Sequence, residues 1–130
     1  GIPFIENGQE VAITHTISLF EADKIDWASG DTTLRDQFKK LIAVRNANPA
    51  LRHGDIARAV SGDPNVMGFL RTSQEQQVLV LISFAADQKH ITPRSAITAK
   101  QGKDLETGAA VNLEGGLDMP AWSWRIIELK

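Results

Sequence analysis

The sequence predicts a mainly β chain: an antiparallel β-sandwich, preceded by a loop-rich segment and a single α-helix. Three observations lead there. Beyond residue 55, short apolar runs recur between turn residues. One stretch before Pro49 carries apolar residues at helical spacing. At 130 residues, the chain has room for one domain, or for one domain with a short appendage. A compact chain of this size buries about two-thirds of the surface its unfolded form exposes, so a core without covalent staples is feasible.

Taken in order, Gly1-Ile2-Pro3-Phe4-Ile5 is a short apolar run that reads as a buried strand. Asn7-Gly8 marks a turn, and residues 9 to 29 are polar with no clean period. A helix is expected over about 32–47. Leu34, Phe38, Leu41, Ile42 and the stem of Arg45 fall on one face. Asp31, Thr32 or Thr33 can accept its free amide hydrogens, and Thr33 to Asp36 has capping-box spacing. Pro49 ends it, because the residue before a proline is driven out of the helical region. Trp27 is expected to pack over the helix start.

The texture then changes. Ile56 to Ser61 reads as a strand, and Gly62-Asp63-Pro64-Asn65 as a turn. Val66 to Thr72 and Gln77 to Phe84 read as a hairpin around Ser73-Gln74-Glu75-Gln76. Val78 to Ile82 is apolar on both faces, which places it centrally. Weaker runs follow at Ala96 to Ala99 and Ala109 to Leu113, with turns at Gly102, Gly108 and Gly115-Gly116. In the last run, Trp122 to Leu129, alternation puts Trp122, Trp124 and Ile126 on one face and Ser123, Arg125 and Ile127 on the other. The two indoles either fill the core or cover the helix, as large aromatics usually do, or form a flat platform for sugar rings.

Composition excludes several chemistries. The chain is 42% hydrophobic and 23% charged, within the globular range. Fourteen basic against sixteen acidic residues give a formal charge of −2, which offers no electrostatic reason for a nucleic-acid or anionic-membrane partner. No apolar stretch approaches the ~18 residues of a membrane span. Without cysteine there is no disulfide, catalytic thiol or thiolate metal site. The first residues show no charged start, apolar run and cleavage site, so no signal peptide is expected, and nothing indicates a compartment. His15, His53 and His90 are far apart and lack ligand spacing, so no metal is expected. Neither a phosphate-cradling loop nor a nucleophile elbow is present. Carboxylates gather early, at Glu6, Glu10, Glu21, Asp23 and Asp26. Glycoside hydrolysis needs two carboxyl groups about 5–10 Å apart. Clustering along the chain does not set that distance, and a solvated acidic loop gives the same pattern.

A series of segments nevertheless has a familiar order. Gly1-Ile2-Pro3-Phe4-Ile5-Glu6-Asn7-Gly8-Gln9-Glu10 resembles the G-x-P-x-I-Y-x-G-x-E segment of the α-amylase family, glycoside hydrolase family 13. Ile25-Asp26-Trp27 resembles the family's I-D-W. Phe38 to Leu51 resembles its last barrel helix, ending L-I-x-x-R-x-x-x-P-A-L. Val78 to Phe84, Lys103 to Gly108 and Met119 to Leu129 resemble segments of the domain that follows the barrel. The resemblance covers nearly the whole chain.

It implies that residues 1–52 are the C-terminal remnant of a (β/α)₈ barrel, and that 53–130 form the Greek-key β-sandwich called domain C. It also implies a parent that acts on α-glucans with retention, using an aspartate nucleophile, a glutamate acid/base and a second aspartate. Those three follow barrel strands four, five and seven, whereas the matched segments begin at strand eight. No catalytic residue is therefore assigned in this chain, and the piece alone is expected to be inactive. Family calcium sites depend mostly on upstream segments, so no cofactor is assigned either. The implied partners are the rest of the barrel and, through the parent, an α-glucan. Domain C would stabilise the barrel or, in the alternative, hold α-glucans on Trp122 and Trp124. Glu6 stands where the family has tyrosine, and Glu10 matches a recurrent family position outside the catalytic three. Glu6, Glu10, Trp122 and Trp124 are thus the candidate substrate contacts. Residues 1 to about 30, deprived of a barrel, are expected to fray or to be covered by a second copy.

Overall fold

The computed structural model describes residues 3–28, 30–59, 62–92 and 97–130. The chain divides into two compact units, residues 1–43 and 44–130.

The first unit is mostly irregular. Gly1 and Ile2 of the expected first strand lie outside the described residues, and Pro3–Ile5 form no strand. No neighbouring backbone pairs with them, and an unpaired strand leaves its amide and carbonyl groups unsatisfied. Phe4 is accordingly 84% exposed. The Asn7-Gly8 turn is present, with Gly8 at φ 90°, and leads into one 3₁₀ turn at Gln9–Val11. Much of the early acidic cluster is spent on loop geometry. Asp23 accepts the Ser18 amide at 3.0 Å and lies 3.2 Å from His15 Nε2, contacts that hold its carboxyl below the usual range, the Ser18 bond foremost. Among the described residues of this unit, Gly8 and Val11 are buried.

Helix α1 runs Thr32–Ala47, as the spacing predicts. Asp31 caps it, Oδ1 accepting from the Thr33 and Leu34 amides at 2.8 and 3.2 Å. The expected capping box is replaced: Asp36 pairs with Lys39 at 3.5 Å. Leu34, Phe38 and Leu41 are half-buried, and none of the helix's residues is fully so. Asn48 is extended, and a short second helix, α2, follows at Pro49–His53, a turn that the stop signal at Pro49 did not anticipate. Proline is well suited to a first helical turn because its missing N–H is not needed there.

Among the described residues that follow, eight strands form: β1 Asp55–Ala59, β2 Val66–Thr72, β3 Gln77–Ser83, β4 Lys89–Ile91, β5 Gln101–Asp104, β6 Ala110–Asn112, β7 Leu117–Met119 and β8 Trp124–Leu129. All paired strands are antiparallel. The main sheet has the order β1-β2-β3-β8-β5-β6, and β4 pairs with β7 in a second sheet. The two layers form the predicted sandwich around Leu70, Leu79, Leu81, Ile91, Leu117, Met119 and Ile127. The β2–β3 hairpin has its expected register, from Val66 opposite Ser83 to Thr72 opposite Gln77. As predicted, β3 is central, and Val78 to Leu81 are buried.

Three expectations need correction. Ile97–Ala99 are not a strand, and Ala96 lies outside the described residues; the strand is Gln101–Asp104. Gly102 is not a turn but sits within that strand, where a Cβ would come 2.5 Å from Ile127 Cγ2 and 2.6 Å from the Glu128 carbonyl oxygen. Trp122 lies outside β8, in the turn before it.

A polar node fastens the helix break to the sheet. The Asn48 side-chain amide donates to the Val44 carbonyl at 2.6 Å. The Gln76 amide nitrogen donates to Asn48 Oδ1 at 2.7 Å and to Glu128 Oε1 at 2.9 Å, while Gln76 Oε1 accepts from the Ala50 N–H at 3.2 Å. Arg71 Nε donates to the Ala50 carbonyl at 3.1 Å. Gln76→Glu removes both donations and turns a carboxylate toward Glu128. It is expected to cost about 1–3 kcal/mol, read as a lower urea midpoint than that of Gln76→Met, which loses the bonds without adding charge.

A second polar contact joins β4, β7 and the turn between β6 and β7. His90 Nδ1 lies 2.8 Å from Asp118 Oδ1, and Nε2 lies 2.9 Å from the Gly115 carbonyl. Both oxygens are acceptors, so the imidazolium satisfies both contacts where a neutral ring satisfies one. The Asp118 bond first, then the Gly115 carbonyl, raise the His90 pKa above 6.5. A raised folded-state pKa means stability present below the unfolded value and lost as pH climbs through the folded one. The melting-temperature gap between wild type and His90→Ala should therefore narrow as pH rises past that window. A ring titrating at or below 6.5 by NMR would contradict this.

Candidate functional site

Register explains how aromatic side chains collect at one end of the main sheet. In β2, β3 and β8, Met67, Ile82 and Trp124 stand in one row, Met67 opposite Ile82 and Ile82 opposite Trp124. Side chains two apart share a face, so Phe69, Val80 and Ile126 continue that face in the next row. Hydrogen bonds also run on past the strand ends. The Ser83 amide donates to the Ser123 carbonyl at 2.7 Å, Trp122 N–H to the Ala85 carbonyl at 3.1 Å, and Phe84 N–H to the Asn65 carbonyl at 2.8 Å. In register the Ala85 carbonyl would meet residue 121, so the bond from Trp122 shows that the regular pairing ends at Ser83 and Ser123.

The result is an open patch of Met67, Phe84, Trp122 and Trp124, with Ile82 half-buried between them. Trp122 is 68% exposed and Phe84 53%. The expectation that the indoles fill the core does not hold, because the core lies on the opposite face, with Leu79, Leu81 and Ile127. Trp27 is likewise largely exposed.

Two features hold this patch in shape. The turn before β8 is closed by Ser123 Oγ–H donating to the Pro120 carbonyl at 2.7 Å, and it carries Trp122 at φ 50°. A bulky residue in the left-handed region is unusual, since its Cβ crowds the backbone there. Beside it, Trp124 Nε1–H donates to Glu106 Oε2 at 2.6 Å. Glu106 is itself placed by Asp104, whose Oδ1 accepts from the Glu106 and Thr107 amides at 3.0 and 2.9 Å and from Thr107 Oγ1 at 3.0 Å. This Asp104 turn is the segment read as Lys103 to Gly108, and Gly108 closes it at φ 76°.

Of the four candidate contacts, Trp122 and Trp124 are exposed at this end of the sheet, Trp122 in the turn and Trp124 at the start of β8. Glu6 and Glu10 belong to the other unit. Glu6 is exposed, and its backbone is tied to Gln9 by the Gln9 N–H to Glu6 carbonyl bond at 2.9 Å. Glu10 and Arg35 share the wall of a cavity of about 310 Å³ with Ile5, Asn7 and Phe38. Glu10 Oε2 and Arg35 Nε are closed to solvent and lack a hydrogen-bond partner, so that oxygen is not presented to a sugar as placed. Phe84 and Met67 were not singled out from the sequence, although alternation through Val78, Val80, Ile82 and Phe84 carries the signal. Glu106 gives no such signal, because only the β5–β8 pairing brings it to Trp124. Among the described residues, no group of three or more His, Asp or Glu could hold a metal ion, and no helix is long and apolar enough to cross a membrane.

No family model matches the chain. A palatinase from Erwinia rhapontici is 34% identical over 68 residues, which are 52% of this chain and 12% of that protein. Alpha-amylase 2 of Dictyoglomus thermophilum is 29% identical over 93 residues, 63% of this chain and 16% of that protein. The chain thus spans only a small part of the length of these relatives. Among solved structures, a maltogenic α-amylase from Thermotoga neapolitana superposes on 99% of this chain and 33% of its own, with a TM-score of 0.82 at 16% identity. An Anoxybacillus α-amylase covers 82% of this chain and 24% of its own, with a TM-score of 0.71 at 19% identity. At such identities the structures bear on fold alone, and the fold they share is the sandwich described above.

If the Trp122 indole is not kept for packing, Trp122→Asn should shift folding stability by less than about 1 kcal/mol, since asparagine tolerates the left-handed region. A tryptophan buried in a core would lose about 3–5 kcal/mol on truncation. Urea unfolding followed by far-ultraviolet circular dichroism separates the two.

Proposed function

Taking the chain as what its relatives and fold neighbours make it, a C-terminal part of an enzyme of the α-amylase family (glycoside hydrolase family 13), we propose that it is the non-catalytic end of an α-glucan-acting, retaining glycosidase. In this reading domain C stabilises a (β/α)₈ barrel that supplies the chemistry. The observation that carries it is the coincidence of six family-like segments in order with an amylase-type sandwich that contains the last three of them.

The first unit supports the reading from another side. Its described residues hold little of a core, and Phe4, Leu19 and Phe20 stand 84–95% exposed. Apolar groups so displayed are suited to packing against further chain. The nucleophile, acid/base and stabilising carboxylate belong to that further chain, and Glu6 and Glu10 serve at most to shape its last loop.

Reading the gene upstream of Gly1 tests this. A frame continuing through roughly 250 residues of alternating strands and helices, as a (β/α)₈ barrel requires, is the expected result, with an aspartate, a glutamate and an aspartate ending strands four, five and seven. A start codon directly before Gly1 would overturn it. The 130-residue chain alone should release no reducing sugar from starch. In sedimentation velocity it should self-associate, and Leu19→Ser with Phe20→Ser should return it toward monomer.

A further inference from the structure

The turn between β6 and β7 carries the chain from the main sheet to the second sheet, and it is held from both sides. On the main-sheet side, Gln101 pairs with Asn112, Leu113 N–H donates to the Lys100 carbonyl at 2.9 Å, and Glu114 pairs with Lys100 at 2.9 Å. On the other side stands the His90 ring of β4, with Nε2 2.9 Å from the Gly115 carbonyl. Gly115 and Gly116 take φ of 85° and 106°, left-handed values that glycine adopts without a steric cost. Gly116 lies so close that a Cβ there would come 2.6 Å from both His90 Nε2 and the Ile91 carbonyl oxygen.

Protonation of the ring decides whether that second hold exists. The imidazolium donates from both nitrogens, to Asp118 at 2.8 Å and to the Gly115 carbonyl. A neutral ring has one hydrogen to give, and the carboxylate is the stronger acceptor. The hydrogen therefore stays on Nδ1, and the Nε2 lone pair faces the Gly115 carbonyl oxygen, a repulsive pairing. The other charged groups of these elements are engaged elsewhere: Lys89 of β4 with Asp87 at 3.1 Å, and Glu114 of the turn with Lys100. We propose that the β6–β7 turn is a proton-operated strap. The doubly protonated ring holds it on β4; the neutral ring releases it from β4 while Lys100 still ties it to the main sheet. Release loosens the chain beside Ile91 and Leu117, two buried core residues. The strap is closed at low pH and opens as pH rises through the His90 titration, which Asp118 foremost moves above 6.5. It thus places in one turn a loss that global stability reports only for the whole fold.

The test is nuclear magnetic resonance on the full 130-residue chain from about pH 5 to about pH 9, which spans histidine titration. The Gly115 and Gly116 amide shifts should follow the His90 ring, and the ring nitrogen shifts should show hydrogen on Nδ1 at high pH. At low pH the Gly116 and Leu117 amides should exchange at least about threefold more slowly than in His90→Phe, the measure of one exposed hydrogen bond. That difference should vanish at high pH. His90→Phe keeps a ring and drops both donors, so the two glycines should lose their pH response in it. Asp118→Asn should lose the response in the opposite sense. Its side-chain amide donates to Nδ1, which leaves the hydrogen on Nε2 and the strap closed at high pH. Glycine shifts that ignore the ring, or hydrogen on Nε2 in the wild type at high pH, overturn the proposal. So does a glycine pH response that survives in either variant. A change in exchange shared by β2 and β3 overturns it in favour of global unfolding.

Discussion

The node around Gln76 is the constraint on which the arrangement of the second unit depends. A helix break at Asn48 exposes carbonyl and amide groups that the apolar outer face of the sheet cannot satisfy. One glutamine from the β2–β3 loop accepts from the Ala50 N–H and, with its other end, donates to the side chains of Asn48 and Glu128. Arg71, projecting from the same face, takes the Ala50 carbonyl. The buried Asn48 side chain therefore has partners at both its oxygen and its nitrogen, the condition under which burying it is tolerable. The consequence is positional: α2 is tied down over the Thr72–Gln77 end of β2 and β3.

That asymmetry divides one sheet face into two ends with different fates. Near the node, Val78 is fully buried on the outer side of β3. Farther along the same strands, beyond the reach of α2, the face emerges as Met67 and Trp124. Both ends follow one alternation in β3 and β8, so no separate folding signal is needed to build the open one. The Pro120–Ser123 turn closes the start of β8, and the bond from Ser83 N–H to the Ser123 carbonyl is the last that keeps the register.

How much of this was legible in the sequence follows from where the period was strong. The β2–β3 hairpin and β8 carry long apolar alternation and turn signals; the structure reproduces the hairpin almost to the residue and starts β8 two residues late. Helix α1 shows its stripe and its capping aspartate. The strands β4 and β7 escape notice because three residues hold too little period to stand out, yet Ile91 and Met119 are core. β5 is disguised further. Its inward positions are Gly102 and Asp104, the first small because Ile127 and Glu128 press against it, the second polar because it organises the next turn. Strand one was misread for the opposite reason: Pro3–Ile5 are apolar enough, but a strand exists only with a neighbour. The expected alternation holds for Trp124 and Ile126 but not for Trp122, which lies in the turn before β8, and which face met the core was decided by Leu79, Leu81 and Ile127 on the other side.

The two units differ in what their own residues can sustain. In the second, apolar side chains from both layers close around one core, and polar atoms at the helix break are satisfied locally. In the first, capping and loop bonds at Asp31, Asp23 and Gly8 define local shape, but few apolar groups are shielded. Local hydrogen bonds contribute little net stability in water, about 0.5–1.5 kcal/mol each, whereas ordering each residue's backbone costs about 1–2 kcal/mol. A segment held by such bonds alone runs at a deficit unless further apolar surface is buried against it. The exposed Phe4, Leu19 and Phe20 are residues whose burial would supply that surface. The first unit is thus held mainly by local bonds, whereas the second has a core of its own.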